Sequence, residues 1–205
     1  INLIGGQTNN KSSSSTKRIN LDCAVFLYKL CQKFRVKKFI QFSSASVYGK
    51  INTTGTLSET SPTRPVGMYA KSKLAADLFL LSRLKQNNTT IPVILRLPLV
   101  YGPHVPTTFP RMIKSLSFSR YILFGSGNNK LQLLYIKNLT SIVKAVIENR
   151  EIQGLYQLAD SKEYRLKELL DILSELIGGG NRYKKLPMLF LHLGYILDPI
   201  FNLIL

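Results

Sequence analysis

Two short apolar segments, residues 39–42 and 91–97, constrain the fold of this chain more than any other feature. They are rich in aromatic and β-branched residues and are too short for buried helices. Each follows a longer segment with helical character, at residues 17–35 and 69–84 respectively. Alternation of this kind builds parallel strands joined by right-handed helical crossovers. The sequence therefore predicts an α/β fold around a parallel sheet.

The other segments of the first half agree with this plan. Residues 1–4 are predicted to end a further buried strand, which runs into a glycine turn at residues 5–6. Residues 7–16 are polar and serine-rich, and residues 53–67 are rich in Thr, Gly, Ser and Pro, so both are predicted loops.

The composition of the chain changes after Pro98, where glycine and proline become frequent. The periodicity there predicts, in order, a helix at 111–118, a strand at 131–136, a helix at 139–149, a strand at 154–158 and an amphipathic helix at 165–177. We therefore predict two domains, residues 1–98 and residues 99–205. The strand and helix near 131–149 are expected to return to the first domain.

Residues 186–205 are strongly apolar and are close to the length of roughly 20 residues that a membrane span needs. Pro187, His192 and Asp198 interrupt the segment and disfavour a span. We predict a bent pair of helices over the second domain and no membrane contact.

The chain carries 28 Lys+Arg against 11 Asp+Glu, a net charge of +17. Such an excess favours anionic partners. The basic residues are spread out, with short doublets such as Lys37-Lys38, and no nucleic-acid-binding signature accompanies them. We predict a basic, solvated surface without a nucleic-acid partner.

Cysteine usage indicates a reducing compartment. Cys23 and Cys31 lie eight residues apart in one predicted helix, which separates their Cα atoms by roughly 12 Å, too far for a disulfide. We expect both to be reduced and the protein to be cytoplasmic. No cluster of His and Cys suggests a metal site.

Tyr69 and Lys73 are four residues apart in a predicted helix and so share one face. A tyrosine hydroxyl has an ordinary pKa of about 10, and a nearby ammonium favours the phenolate. We expect Lys73 to lower the pKa of Tyr69, which could then move a proton while hydride moves at a nicotinamide.

A serine cluster follows the first apolar strand. Ser43, Ser44 and Ser46 precede an aromatic-glycine turn at residues 48–49. Active sites of open α/β sheets lie at the carboxyl ends of strands, so a serine here can hold a reacting oxygen opposite Tyr69. A third block, residues 96–103, reads RLPLVYGP.

These three blocks, in this order, resemble the extended short-chain dehydrogenases/reductases of the NAD-dependent epimerase/dehydratase family, which act on nucleotide sugars. Further similar elements are Ile19-Asn20-Leu21 and the segments 125–129 and 134–139. The resemblance implies a Rossmann-type doubly wound parallel sheet with a smaller mixed α/β substrate lobe. It covers most of the chain and fades after about Leu186.

The resemblance also implies roles for single residues. Catalytic roles fall to Ser44, Tyr69 and Lys73, with Ser46 as the competing serine. The residues implied in binding NAD or NADP are Gly5, Asn20, Ser43, Tyr69, Lys73 and Pro98. Those implied in binding the nucleotide-sugar substrate are Ser44, Ser46 and Lys130. No metal is implied.

Departures from the family pattern limit what the chain can do alone. The GxxGxxG fingerprint that binds the cofactor pyrophosphate is not in the sequence. The first three family strands also have no counterpart, so we expect an N-terminally truncated fold. Leu131 stands where the family often has a phosphate-gripping arginine, and the neighbouring Lys130 offers a point charge instead.

The function that the sequence predicts is an NAD(P)-dependent epimerase or dehydratase acting on a nucleotide-activated sugar in cell-envelope polysaccharide biosynthesis. One alternative is an NAD(P)H-dependent 4-ketoreductase or another extended short-chain reductase on a small alcohol or ketone. A second alternative is a noncatalytic member of the fold. The family resemblance also implies a homodimer.

Overall fold

The computed structural model describes residues 1–5, 13–49, 57–85, 89–105 and 108–190. The chain forms two compact units, of which the first comprises Ile1–Pro98 and Ile136–Ala159 and the second comprises Leu99–Tyr135 and Asp160–Leu205. The elements, in chain order, are α1 (Ser13–Lys17), a π-helical turn (Arg18–Asp22), α2 (Cys23–Lys33), β1 (Lys38–Ser44), a 3₁₀ turn (Ala45–Tyr48), α3 (Gly67–Leu84), β2 (Ile91–Leu97), β3 (Leu99–Tyr101), α4 (Thr108–Ser117), β4 (Tyr121–Phe124), β5 (Lys130–Tyr135), α5 (Ile136–Glu148), β6 (Gly154–Gln157), β7 (Glu163–Arg165), α6 (Leu166–Leu176) and β8 (Tyr183–Leu186).

The first unit is built on a parallel sheet of strand order β1-β2-β6. Asn2 adds a parallel bridge to Gln41 on the free edge of β1. The central strand β2 is apolar on both faces, and Val93, Ile94 and Leu95 are fully buried, as expected for a parallel strand with helices on both sides.

The helices of this unit pack on the sheet through aromatic contacts. Tyr28 of α2 meets Phe39 of β1 edge to face, with ring centroids 5.6 Å apart. Leu80 of α3 and Ile94 of β2 complete this buried cluster. The parallel α/β arrangement predicted from the two apolar segments is therefore confirmed.

The second unit has its own sheets and core. Strand β3 pairs parallel with β5, which pairs antiparallel with β7, and β4 pairs parallel with β8. Helices α4 and α6 cover a cluster whose buried members are Phe109, Met112, Leu116, Leu123, Leu133, Leu169, Leu170 and Tyr183.

The structure differs from the sequence predictions in the following respects. The return to the first unit comprises residues 136–159 rather than 131–149, because β5 hydrogen-bonds to β3 and β7 in the second unit. The helix expected at 17–35 begins earlier and contains the π-helical turn. Strands β4 and β8 were not predicted, because their pairing joins segments about sixty residues apart.

The predicted helix pair near the end of the chain extends to residues 191–205, which lie outside the described residues, as do parts of both predicted loops. Within the described residues, no helix combines the length and the apolar character that crossing a membrane requires.

Candidate active site

Tyr69 lies in the first turn of α3, and its hydroxyl lies close to the side chain of Ser44 at the end of β1. Burial raises the pKa of Tyr69 above its ordinary value, and the nearby Ser44 hydroxyl acts in the opposite direction. The phenol is therefore protonated at neutral pH in this structure, with a serine hydroxyl as its neighbour.

Lys73 is buried one helical turn after Tyr69. Its Nζ donates to the carbonyl oxygen of Phe42 at 3.0 Å and to that of Ile4 at 3.4 Å. Burial lowers the pKa of Lys73, and the charge of Asp77 opposes that shift. The ammonium thus binds the backbone of the strand edge.

The expectation that Lys73 lowers the pKa of Tyr69 is wrong for this structure. The pKa of Tyr69 is raised, and Ser44 is the group that opposes the effect of burial. The physical reason is burial of the phenol, which is the largest effect on its pKa, and Lys73 is not among the groups that shift it. The ammonium is hydrogen-bonded to main-chain carbonyl oxygens instead.

Gly5 is the residue that leaves room for the lysine. A Cβ placed on Gly5 would lie 2.9 Å from Lys73 Nζ and 3.6 Å from Asn20 Oδ1. A side chain at this position would require the Lys73 ammonium to shift, so Gly5 leaves the space that the ammonium occupies.

Asn20 braces α3 from the π-helical turn. Its Nδ2 donates to Ser72 Oγ at 3.0 Å, and that hydroxyl donates to the Tyr69 carbonyl oxygen at 2.8 Å. The π turn inserts one residue into the helical hydrogen-bond pattern, a local deviation that is frequent at functional sites. The result is a fixed first turn for the helix that carries Tyr69.

The three strand-end serines have different surroundings. Ser44 Oγ accepts from the Ser46 N–H at 3.2 Å and lies close enough to Tyr69 to lower the pKa of that phenol, whereas Ser46 is exposed. Ser43 is buried and lies close enough to Asp77 to lower the pKa of that carboxyl. Of the two candidate catalytic serines, Ser44 is the one that touches Tyr69.

Pro98 is half-buried directly after Leu97, which is the register partner of Ser44. It therefore lies at the same edge of the sheet as the serines. Lys130 belongs to the second unit, where its exposed ammonium pairs with Glu163 at 2.8 Å. It is not among the side chains that the first unit brings together.

A buried polar chain beside this site was missed by sequence reasoning. Asp77 Oδ2 accepts from Arg96 Nε at 2.9 Å, and Arg96 Nη1 donates to the Tyr48 hydroxyl at 2.9 Å. Tyr48 in turn donates to the Ser58 carbonyl oxygen at 3.0 Å. Arg96 was the sequence feature that could have indicated this chain, since an arginine within an otherwise apolar buried strand requires an anionic partner.

A tyrosine and a lysine four residues apart on one helix, beside serines that end a parallel strand, define a site of the short-chain dehydrogenase/reductase class. The family model described as the NAD dependent epimerase/dehydratase family matches residues 1–159. The chain belongs to that family.

Curated relatives differ in the reactions that their names give. The chain is 30% identical over 154 residues to a human dTDP-D-glucose 4,6-dehydratase, covering 74% of this chain and 43% of the relative. It is 26% identical over 167 residues to a sterol-4-alpha-carboxylate 3-dehydrogenase, decarboxylating, of Dictyostelium discoideum, covering 78% and 51%. The chain spans about half the length of the curated relatives it matches.

Solved structures share the fold. A UDP-glucuronic acid 4-epimerase from Bacillus cereus in complex with NAD superposes with a TM-score of 0.79 at 24% identity, covering 90% of this chain and 61% of that one. A UDP-N-acetylglucosamine 4-epimerase from Methanobrevibacter ruminantium gives a TM-score of 0.74, also at 24% identity, with coverages of 89% and 61%. These likenesses confirm the Rossmann-type α/β fold.

Proposed function

We propose that this chain supplies the catalytic portion of an NAD-dependent epimerase or dehydratase acting on a nucleotide-activated sugar. The observation that carries the proposal is the grouping of Tyr69, Ser44 and a buried Lys73 where α3 meets β1, fixed by the 3.0 Å hydrogen bond from Lys73 Nζ to the Phe42 carbonyl oxygen. The residues lie at the carboxyl end of β1, where ligands bind in sheets of this kind.

The residues of the first unit suit the nicotinamide-ribose end of NAD. Gly5 leaves space beside the buried Lys73 ammonium, and a cation there can donate to ribose hydroxyls. Asn20, Ser43 and Pro98 border the same region. The glycine turn for the pyrophosphate is not in these 205 residues.

NAD held by Lys73 and its neighbours would supply a reversible hydride acceptor. Within the chain, Tyr69 would exchange a proton with the sugar hydroxyl, and Ser44 would hold that oxygen by a hydrogen bond. The raised pKa of Tyr69 means that its phenol resists ionisation until further positive charge enters the site.

The choice of substrate rests on the second unit. We infer that Lys130 contacts the substrate phosphates, because its ammonium is exposed and Glu163 is its partner in the structure described here. Ser46, exposed beside Ser44, would contact the sugar. The setting proposed is the cytoplasm, in cell-envelope polysaccharide synthesis, with the protein as a homodimer.

A second candidate is a reductase of the same class that acts on a small alcohol or ketone. The similarity to a sterol-carboxylate dehydrogenase favours it, and so does Leu131 at the position of the family's phosphate-gripping arginine. A 4-ketoreductase using NADPH would employ the same three residues. A noncatalytic role is disfavoured by the intact contact between Ser44 and Tyr69.

The test uses the full-length gene product with NAD and four probes: UDP-glucose, UDP-N-acetylglucosamine, UDP-glucuronic acid and dTDP-glucose. Product sugars are identified by mass spectrometry and NMR. Tyr69→Phe should lower turnover by about 10²- to 10⁴-fold, the usual contribution of acid–base catalysis. Tyr121→Phe, in the second unit, is the matched control. Unchanged turnover in Tyr69→Phe would refute the proposed mechanism.

A further inference from the structure

Asp77 is a buried carboxylate that the proposed chemistry does not use. It lies one helical turn beyond Lys73 on α3 and is fully buried. Its Oδ2 accepts a 2.9 Å hydrogen bond from Arg96 Nε, and both side chains are almost completely enclosed. Burial raises the pKa of the Asp77 carboxyl, and Ser43, Arg96 and Lys73 oppose that rise. The permanently charged arginine therefore favours the carboxylate form.

The second carboxyl oxygen of Asp77, Oδ1, is not bonded to Arg96. Oδ1 is buried and makes no hydrogen bond of ordinary geometry within the described residues, and the nearby Ser43 Oγ is in the same condition. A buried carboxylate oxygen without such a bond is costly to maintain. This cost suggests that the oxygen serves through its charge.

Lys73 is the group that needs a buried negative charge. The residue is 3% exposed, and the described hydrogen-bond acceptors of its ammonium are two neutral carbonyl oxygens. Burial without a counter-charge converts a lysine to its neutral form. Side chains four residues apart on a helix are neighbours, with Cβ atoms about 5–6 Å apart.

We propose that Asp77 is a positioning residue that keeps Lys73 in its ammonium form, with Arg96 fixing the carboxylate in place. Where turnover is concerned, the inference rests on the proposed function. The state of Lys73 itself can be measured without cofactor or substrate.

The charged and titratable groups around Lys73 support this assignment. Tyr69 precedes it on α3 and is neutral, because its pKa is raised. Arg96 on β2 and Tyr48 on the 3₁₀ turn are bonded to each other beyond Asp77. The π-helical turn presents the uncharged Asn20. Asp77 is therefore the negative charge in this set.

The direct test is the titration of Lys73 in NAD-free, full-length protein carrying ¹³C-labelled lysine, with the resonance assigned by its loss in Lys73→Met. In Asp77→Asn the pH at the midpoint of the Lys73 titration should fall, whereas Asp77→Glu should restore it. Tyr48→Phe is the matched control, since it weakens the same buried chain but keeps the carboxylate. An unchanged midpoint in Asp77→Asn would overturn the inference.

A second variant covers the case in which Asp77→Asn does not fold. Asp77→Asn combined with Arg96→Met removes both members of the ion pair, a change that buried sites often tolerate. In this double variant, the pH at the midpoint of the Lys73 titration should also be lower than in the wild type. A midpoint equal to that of the wild type would show that the carboxylate does not hold the charge.

Cofactor affinity separates this inference from the proposed function. At mildly alkaline pH, NAD affinity should fall about tenfold in Asp77→Asn, the equivalent of one charge-assisted hydrogen bond, and the basic limb of the turnover profile should move to lower pH. If the wild type binds no NAD while the midpoint depends on Asp77, only the proposed function fails. Normal wild-type turnover, together with an unchanged Lys73 titration midpoint in Asp77→Asn, would contradict only the inference about Asp77.

Discussion

The ammonium of Lys73 donates a 3.0 Å hydrogen bond to the carbonyl oxygen of Phe42, which joins helix α3 to strand β1. The contact fixes the lysine before any ligand arrives. A lysine held by the backbone can present its remaining hydrogen to a ligand at a defined position, which lowers the entropic cost of binding. The orientation of this residue is therefore a property of the fold.

Gly5→Ala should disturb that orientation without straining the backbone. Gly5 lies outside the left-handed region, so alanine fits its conformation, but the new Cβ would lie 2.9 Å from Lys73 Nζ. We expect turnover to fall about 10- to 100-fold, the effect of a small misplacement of a catalytic group. Steady-state kinetics and a thermal melt test this. A melting temperature that falls together with the turnover would indicate unfolding instead of a displaced lysine.

Tyr48→Phe should destabilise the first unit. The Tyr48 hydroxyl accepts from Arg96 and donates to the Ser58 carbonyl oxygen, so its loss removes one hydrogen bond from the buried Arg96 guanidinium and one from the part-buried loop contact at Ser58. We expect the free energy of unfolding to fall by about 1–3 kcal/mol. Urea denaturation measures the change. An unchanged midpoint would mean that water replaces the hydroxyl.

Lys130→Ala should weaken the binding of a nucleotide sugar and leave the chemical step intact. Lys130 is exposed and paired with Glu163 at 2.8 Å. We expect KM to rise about tenfold with kcat unchanged, the pattern of a lost ground-state contact. Glu163→Gln releases the lysine and should lower KM. Equal KM values in all three proteins would exclude Lys130 from the substrate site.

Tyr183 should make the second unit sensitive to alkaline pH. Burial and the hydrogen bond to Asp171 raise the pKa of Tyr183 to about 12 from an ordinary 10.0. A raised pKa contributes stability that is complete below pH 10.0 and is lost as pH rises toward about 12. Tyr183→Phe should therefore lose less stability across this window. Tyr121→Phe, which has no carboxylate partner among the causes of its shift, is the control.

The sequence predicted the elements whose signals are local. The apolar run at 91–97 coincides with β2, and the breaker-free segment from residue 69 lies within α3. Both predictions rest on periodicity and composition within a few neighbouring residues. The spacing of Ser44 and Tyr69 also matched the pattern of the family they resemble, which made Ser44 the first candidate for the catalytic serine.

Contacts between distant segments were not predictable in the same way. Arg96 meets Tyr48 across 48 positions of sequence and Asp77 across 19. No local pattern specifies which buried polar group will satisfy another. The parallel pairing of β4 with β8 is a further case, since each strand is only four residues long.

The sequence by itself determined that a tyrosine and a lysine would share one face of a helix, since helical geometry places residues four apart together. The tertiary structure alone decided their electrostatic state. Lys73 turns to the carbonyl oxygens of Phe42 and Ile4, and the pKa of Tyr69 is raised instead of lowered. Ionisation depends on burial and on neighbours that packing brings together, and neither quantity is contained in the spacing of two residues.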